Sequence, residues 1–157
     1  MSETADASAE REAMRAALAI AAQVAEGGNV PVGAVILVDG KVVAKAGNLR
    51  ETLQDPTAHA EILALSAAGQ RLGSWRLEQA TLVVTLEPCA MCAHAIVQAR
   101  VGRVVYALTE PKTGAHQSVH RAFEGQPIEV IHDPQEAASS QALLTGFFAS
   151  LRKRGAG

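Results

Sequence analysis

Apolar residues recur at helical spacing near the start of the chain. Met14, Leu18, Ala21 and Ala25 fall on one face of an Ala-rich stretch, which predicts a helix from about Ser8 to Glu26. Gly27-Gly28 ends it. In VPVGAVILVDGKVVAKAGN, two β-branched runs flank Asp39-Gly40, a strong signal for a two-residue hairpin. QDPT has turn character, with Thr57 as a candidate N-cap. HAEILALSAAG predicts a helix from about Ala58 to Gly69, and TLVVTL, residues 81–86, a buried strand. Pro88 suits the first turn of a helix reaching about Ala99. RVVYAL (103–108) and IEVI (128–131) predict two further strands. A last helix spans about Pro134 to Arg152, with Leu143, Leu144, Phe147, Phe148 and Leu151 expected on its inner face. Strands alternating with helices imply a layered α/β domain with a mixed sheet.

Composition narrows the class. At 157 residues, 48% of them apolar, the chain is expected to be a single globular domain over 1–157, with residues 1 to about 8 disordered. No run approaches 18 apolar residues, so no membrane span is expected. The N-terminus has no basic region followed by an apolar block. Two cysteines without a signal imply a reducing, cytoplasmic setting. The net charge of −2 argues against a general polyanion binder, and the scarcity of aromatics argues against binding by stacking many bases. Charge is unevenly placed: acids crowd the first twelve residues, whereas Arg152, Lys153 and Arg154 close the chain.

Both cysteines lie in TLEPCAMC, with Cys89 and Cys92 on one helical face. The pair alone fits a redox dithiol, half of a structural zinc site, or part of a catalytic one. His59-Ala60-Glu61 decides. With 26 residues between Glu61 and Pro88, a helix, a turn and a strand fit, and a crossover can bring two helix N-termini side by side. His59, Cys89 and Cys92 then supply one nitrogen and two thiolates. Zinc prefers four tetrahedral ligands, so one position stays open, as catalytic sites require. Glu61 is expected beside that position as a proton shuttle and not as a ligand. Such a site suits hydrolytic attack on an amidine-like carbon with loss of ammonia.

These residues resemble the cytidine deaminase-like superfamily and, within it, the bacterial tRNA adenosine deaminases (TadA-type). The resemblance runs from about Met14 to Arg152 and includes VPVGAVIL, Gly47-Asn48, DPTAHAEILAL, Trp75 to Leu77, ATLVVTLEPCAMCAHAIVQARVGRVVYA, PKTGA and GFFASLRKR. It implies a three-layer α/β/α fold with a central mixed five-stranded sheet, one Zn²⁺ per subunit and a homodimer in which the PCAMC helix takes part. The implied reaction is hydrolysis of adenosine to inosine at the wobble position of a tRNA anticodon stem-loop. Residue by residue, it implies zinc at His59, Cys89 and Cys92, proton transfer at Glu61, and contacts to the flipped base from Asn48 and the Ala60 amide. Glu87 is expected to organise the loop over the metal, and Met91, His94 and Ile96 to pack. Lys112, Arg152, Lys153 and Arg154 are the candidates for RNA phosphate contact, and Phe147 or Phe148 for a face at the groove.

The text after PKTGA, HQSVHRAFEGQPIEVIHD, departs from the family. Gln117 replaces a glycine, an asparagine-histidine stretch is missing and the segment is shorter. His116, His120 and Arg121 could then supply different backbone contacts, or the loop could close over a smaller substrate. A deaminase of a free base (guanine or cytosine) is therefore one alternative; a non-catalytic zinc-binding partner subunit is another, against which Glu61 stands.

Overall fold

The computed structural model describes residues 3–155. Helix α1 occupies Glu3–Glu26; residues 3–8, expected to be disordered, belong to it, and residues 1–2 lie outside the described residues. Strands β1 (Gly33–Val38) and β2 (Lys41–Gly47) form the hairpin. Asp39 and Gly40 both adopt positive φ, 52° and 73°, the turn that matches strand twist. A short helix α2 (Arg50–Leu53), not anticipated from the pattern, precedes α3 (Ala60–Leu72). Strand β3 (Ala80–Leu86), helix α4 (Ala90–Gln98), and strands β4 (Arg103–Leu108) and β5 (Glu129–His132) follow. A 3₁₀ turn at Pro134–Glu136 leads into α5 (Ala137–Gly155).

The sheet order is β2-β1-β3-β4-β5. β1 is antiparallel to both β2 and β3, and β3–β4 and β4–β5 are parallel. Alternation sorts the strand residues between two cores. Val35, Leu37, Val83, Val105 and Ala107 pack with Ala13, Met14 and Ala17 of α1. Ala34, Ile36, Leu82, Val84, Val104 and Tyr106 face α3 and α4. The result is the expected three-layer arrangement around a mixed sheet. The small side chains of α1 let it lie close: a Cβ at Gly33 would collide with the Ala17 carbonyl.

Four local expectations change. Thr57 is not an N-cap; its N–H and hydroxyl both donate to Asp55 Oδ1 at 2.8 and 2.7 Å, and His59 holds the N-cap position. α3 runs past Gly69 to Gly73, whose left-handed backbone (φ 69°) ends it. Pro88 precedes the N-cap Cys89 and so sits outside the helix it was expected to start. On α5 only Ser140 and Leu144 are buried. Phe148 and Leu151 are exposed.

Candidate metal centre and active site

β2 and β3 run in the same direction on either side of β1. The helices that follow β2 and β3, α3 and α4, therefore start at the same end of one sheet face. Their N-caps are His59 and Cys89, and Cys92 lies one turn into α4. His59 Nδ1 sits 3.7 Å from Cys89 Sγ and 3.5 Å from Cys92 Sγ. All three donor atoms lie within 4.8 Å of one another. Tetrahedral zinc, with Zn–N near 2.05 Å and Zn–S near 2.3 Å, needs N···S separations of about 3.6 Å. The donor set and its spacing fit a single zinc ion with one position left for substrate chemistry.

The two thiols are unequal. Cys92 donates toward Cys89, which holds Cys89 down at about 4 and pushes Cys92 up. His59 lowers Cys89 further. A dication between them favours the second thiolate too.

Glu61, in the first turn of α3, is 4% exposed. It is not part of the donor cluster. Burial pushes its carboxyl up to about 7, while a nearby dication pulls the other way. The adjoining cavity, about 130 Å³, is lined by Asn48, Arg50, Ala60, Glu61 and Thr113 among others. Asn48 Oδ1 accepts from the Arg50 N–H at 3.0 Å, and Nδ2 donates to the Val30 carbonyl at 3.2 Å. The turn role and a ligand role are thus compatible: one Nδ2 hydrogen and one Oδ1 lone pair remain. Ala60, first residue of α3, carries one of the N–H groups that a helix start leaves without an intrahelical partner.

Glu87 binds the loop above the site. Its Oε1 accepts from the Glu110 N–H (3.0 Å) and the Ser118 hydroxyl (2.5 Å). Its Oε2 accepts from the N–H groups of His116, Gln117 and Ser118 at 2.9, 3.1 and 3.3 Å. Burial alone would raise this carboxyl, but these donors hold it below the usual glutamate range. Gly114 bridges to Cys89, and a Cβ there would strike the Glu87 carboxyl.

Other expectations divide. Ile96 is buried and Met91 half-buried, but His94 is exposed and does not pack. His116 turns inward, its Nδ1 2.8 Å from the Tyr106 hydroxyl, and so serves the loop's interior. His120, Arg121 and Lys112 are exposed. Arg152, Lys153 and Arg154 are exposed in the last turn of α5 and do not line the cavity. Phe147 is half-buried against its exposed neighbour Phe148. Arg50 and Thr113 at the cavity, and Asn29 behind it, were not anticipated. Arg50 and Asn29 depend on a helix of four residues, too short to leave a periodic signal.

Residues 7–108 match the profile of the cytidine and deoxycytidylate deaminase zinc-binding region. The chain is 42% identical over 145 residues to the tRNA-specific adenosine deaminase of Bacillus subtilis, covering 90% of this chain and 89% of that protein. It is 41% identical over 149 residues to part of the tRNA(Ile)-lysidine synthase of Deinococcus radiodurans, covering 92% of this chain and 25% of that protein. A solved structure from a study of A-to-I editing by tRNA:A34 deaminases at the wobble position of transfer RNA superimposes with a TM-score of 0.80. The two are 41% identical, with 85% of this chain and 99% of that one covered.

Proposed function

Since the chain belongs to the tRNA-specific adenosine deaminases, a family of zinc-binding hydrolytic deaminases, we propose that it converts adenosine to inosine at the wobble position of a tRNA anticodon. The observation that carries the reading is the His59, Cys89 and Cys92 cluster opening onto a small cavity with the buried Glu61 beside it. The likeness to a solved tRNA:A34 deaminase supports the substrate. So does the Deinococcus protein, in which a similar stretch is joined to an enzyme named for another tRNA modification.

When bound at His59, Cys89 and Cys92, zinc supplies a Lewis acid that makes water nucleophilic at neutral pH. The protein does the rest. The cavity admits one flat ring, so the target base leaves the anticodon stack at a cost of a few kcal/mol, least in a single-stranded loop. Asn48 and the Ala60 N–H orient the ring edge. Glu61 takes one proton from the attacking water and places it on the ring nitrogen; it then takes the second proton from the added hydroxyl, which becomes the carbonyl, and gives it to the amine, which departs as ammonia. Enclosure by the loop pinned to Glu87 keeps bulk water from the carboxylate and strengthens each contact.

Lys112 and the Arg152, Lys153 and Arg154 tail are assigned to RNA phosphates, the tail beyond the cavity reaching the stem. The active unit is a homodimer. An apolar groove of about 660 Å³ between α3 and α4, lined by Ile62, Leu65, Trp75 and Leu77, supports this, with Trp75 58% exposed. No described helix is long and apolar enough to cross a membrane; a cytoplasmic location is part of the proposal and is compatible with a tRNA substrate.

The test is inosine formation, read by mass spectrometry, on an anticodon stem-loop with adenosine at the wobble position. Free adenosine, guanine and cytosine run in parallel, with Glu61→Ala as the blank. Inosine in the RNA alone supports the reading. Ammonia from a free base alone overturns it and assigns the shortened 115–127 segment to a smaller substrate. Zinc binding with no turnover on any of them leaves a partner subunit.

A further inference from the structure

We infer that Arg50 grips the phosphate beside the flipped base and that Asn29 is the residue that positions it; the inference rests on the RNA reading above. Arg50 lines the cavity together with Asn48 and Glu61, yet its side chain is 47% exposed at the mouth. Its ion-pair partner is the neighbouring Glu51, at 3.7 Å and itself exposed, a pairing too weak to occupy it. A guanidinium so placed suits a phosphate oxygen pair. Thr113 lines the same cavity and its neighbour Lys112 is exposed, so a second cation stands on the loop side.

What makes Arg50 more than a solvated cation is how firmly its backbone is held. Helix α2 has four residues, too few to persist alone. Its first three N–H groups are all taken from outside. Arg50 donates to Asn48 Oδ1 at 3.0 Å. Glu51 and Thr52 donate to Asn29 Oδ1 at 3.0 and 3.1 Å. Asn29 Nδ2 in turn donates to Thr52 Oγ1 (2.8 Å) and to the Val24 carbonyl (3.2 Å). Asn29 is 1% exposed and all four of its hydrogen-bonding capacities are used. The end of α1, the short helix and Asn48 thereby form one rigid unit. Asn48 addresses the base, and Arg50, two residues on, addresses the phosphate attached to it. The register between base and backbone is built into the protein before RNA arrives, which lowers the ordering cost of binding.

The experiment measures binding of a fluorescent anticodon stem-loop by the zinc-loaded protein over a range of salt, with turnover on the same RNA. Arg50→Gln is expected to weaken binding about tenfold and to flatten the slope of log K against log salt by about 0.7, the value for one single-strand phosphate contact. The loss should fall on KM more than on kcat, and Arg50→Lys should restore the slope. Asn29→Ala should reproduce the Arg50→Gln loss, and the double variant should be no weaker than Arg50→Gln alone. Asn29→Asp, which keeps the acceptor capping α2, should lose less than Asn29→Ala. An unchanged slope in Arg50→Gln, with wild-type protein deaminating the RNA, overturns the Arg50 assignment and leaves the function standing. Additive losses in the double variant overturn the role of Asn29. Wild-type protein that binds the RNA with the expected slope change but never deaminates it overturns the proposed function alone. Failure to bind RNA overturns both.

Discussion

Replacing Glu87 by glutamine removes one charge and changes no volume, yet it should loosen the whole 110–118 loop. The carboxylate accepts five hydrogen bonds on two oxygens. Glutamine has one acceptor oxygen. Its best placement is toward His116, Gln117 and Ser118, leaving the amide NH₂ facing Ser118 Oγ and the Glu110 N–H. The hydroxyl can turn to accept; the backbone N–H cannot. One donor is then left unpaired, at about 1–3 kcal/mol, and the retained bonds lose their ionic share, about 0.5 kcal/mol each. The total is about 3 kcal/mol, which in a domain of this size lowers Tm by roughly 6–12 °C. Denaturant unfolding with zinc bound gives the global term, and amide exchange by mass spectrometry localises it. Exchange should quicken at 110–118 and stay unchanged in β1 and β3. The sign of the pH dependence follows as well. Glu87 is held below its ordinary value, so its contribution is complete above the unfolded glutamate pKa of about 4.3 and is lost as pH falls through the folded value. The difference between wild type and Glu87→Gln should therefore shrink on acidification. Equal midpoints at neutral pH, or loop amides as protected as in wild type, would refute the account of Glu87 as the loop's anchor.

Four further outcomes are expected. Glu61→Ala should retain fold and zinc, by circular dichroism and metal analysis, and lose at least about 100-fold in turnover; loss of metal would reassign the residue. Arg103→Ala should free the start of α1, because Arg103 pairs with Glu10 through two bonds at 2.7 and 2.9 Å and with Glu129 at 2.8 Å. A loss of about 1–2 kcal/mol, with faster exchange confined to about residues 3–12, is the signature to seek. Chelation should lower Tm and expose a reactive pair in which Cys89, held at about 4, is alkylated ahead of Cys92; peptide mapping reads the order. Neutralising Arg152, Lys153 and Arg154 together should weaken RNA binding and reduce its salt slope, and unchanged binding would return them to complementing the end of α5.

Much of this was legible because local patterns encode which face a residue presents. The short apolar runs TLVVTL and RVVYAL, the Asp39-Gly40 turn and the H-x-E and P-C-x-x-C spacings each depend on neighbours within a few positions. What escaped depends on partners far along the chain. Asn29 caps α2 from more than twenty residues away. Arg103 finds Glu10 across 93 positions. The apolar stripe of α5 continues through Phe148 and Leu151, which are exposed; periodicity cannot say how much of a stripe finds a partner. Thr57 looked like an N-cap because its type favours one, yet Asp55 claims both its donors. The inward turn of His116 onto Tyr106 follows from the loop's attachment to Glu87, and no short window of sequence contains both ends of that network.

His59 and Cys89 stand 30 positions apart, and between them runs all of α3 and β3. A metal held by both is therefore a removable cross-link. Chain-entropy reasoning for a closed loop of that length gives about 3–4 kcal/mol of restriction on the unfolded chain, present only while the ion stays. Removing the metal therefore takes away the chemistry and, with it, a tie across the segment that joins the two helix starts.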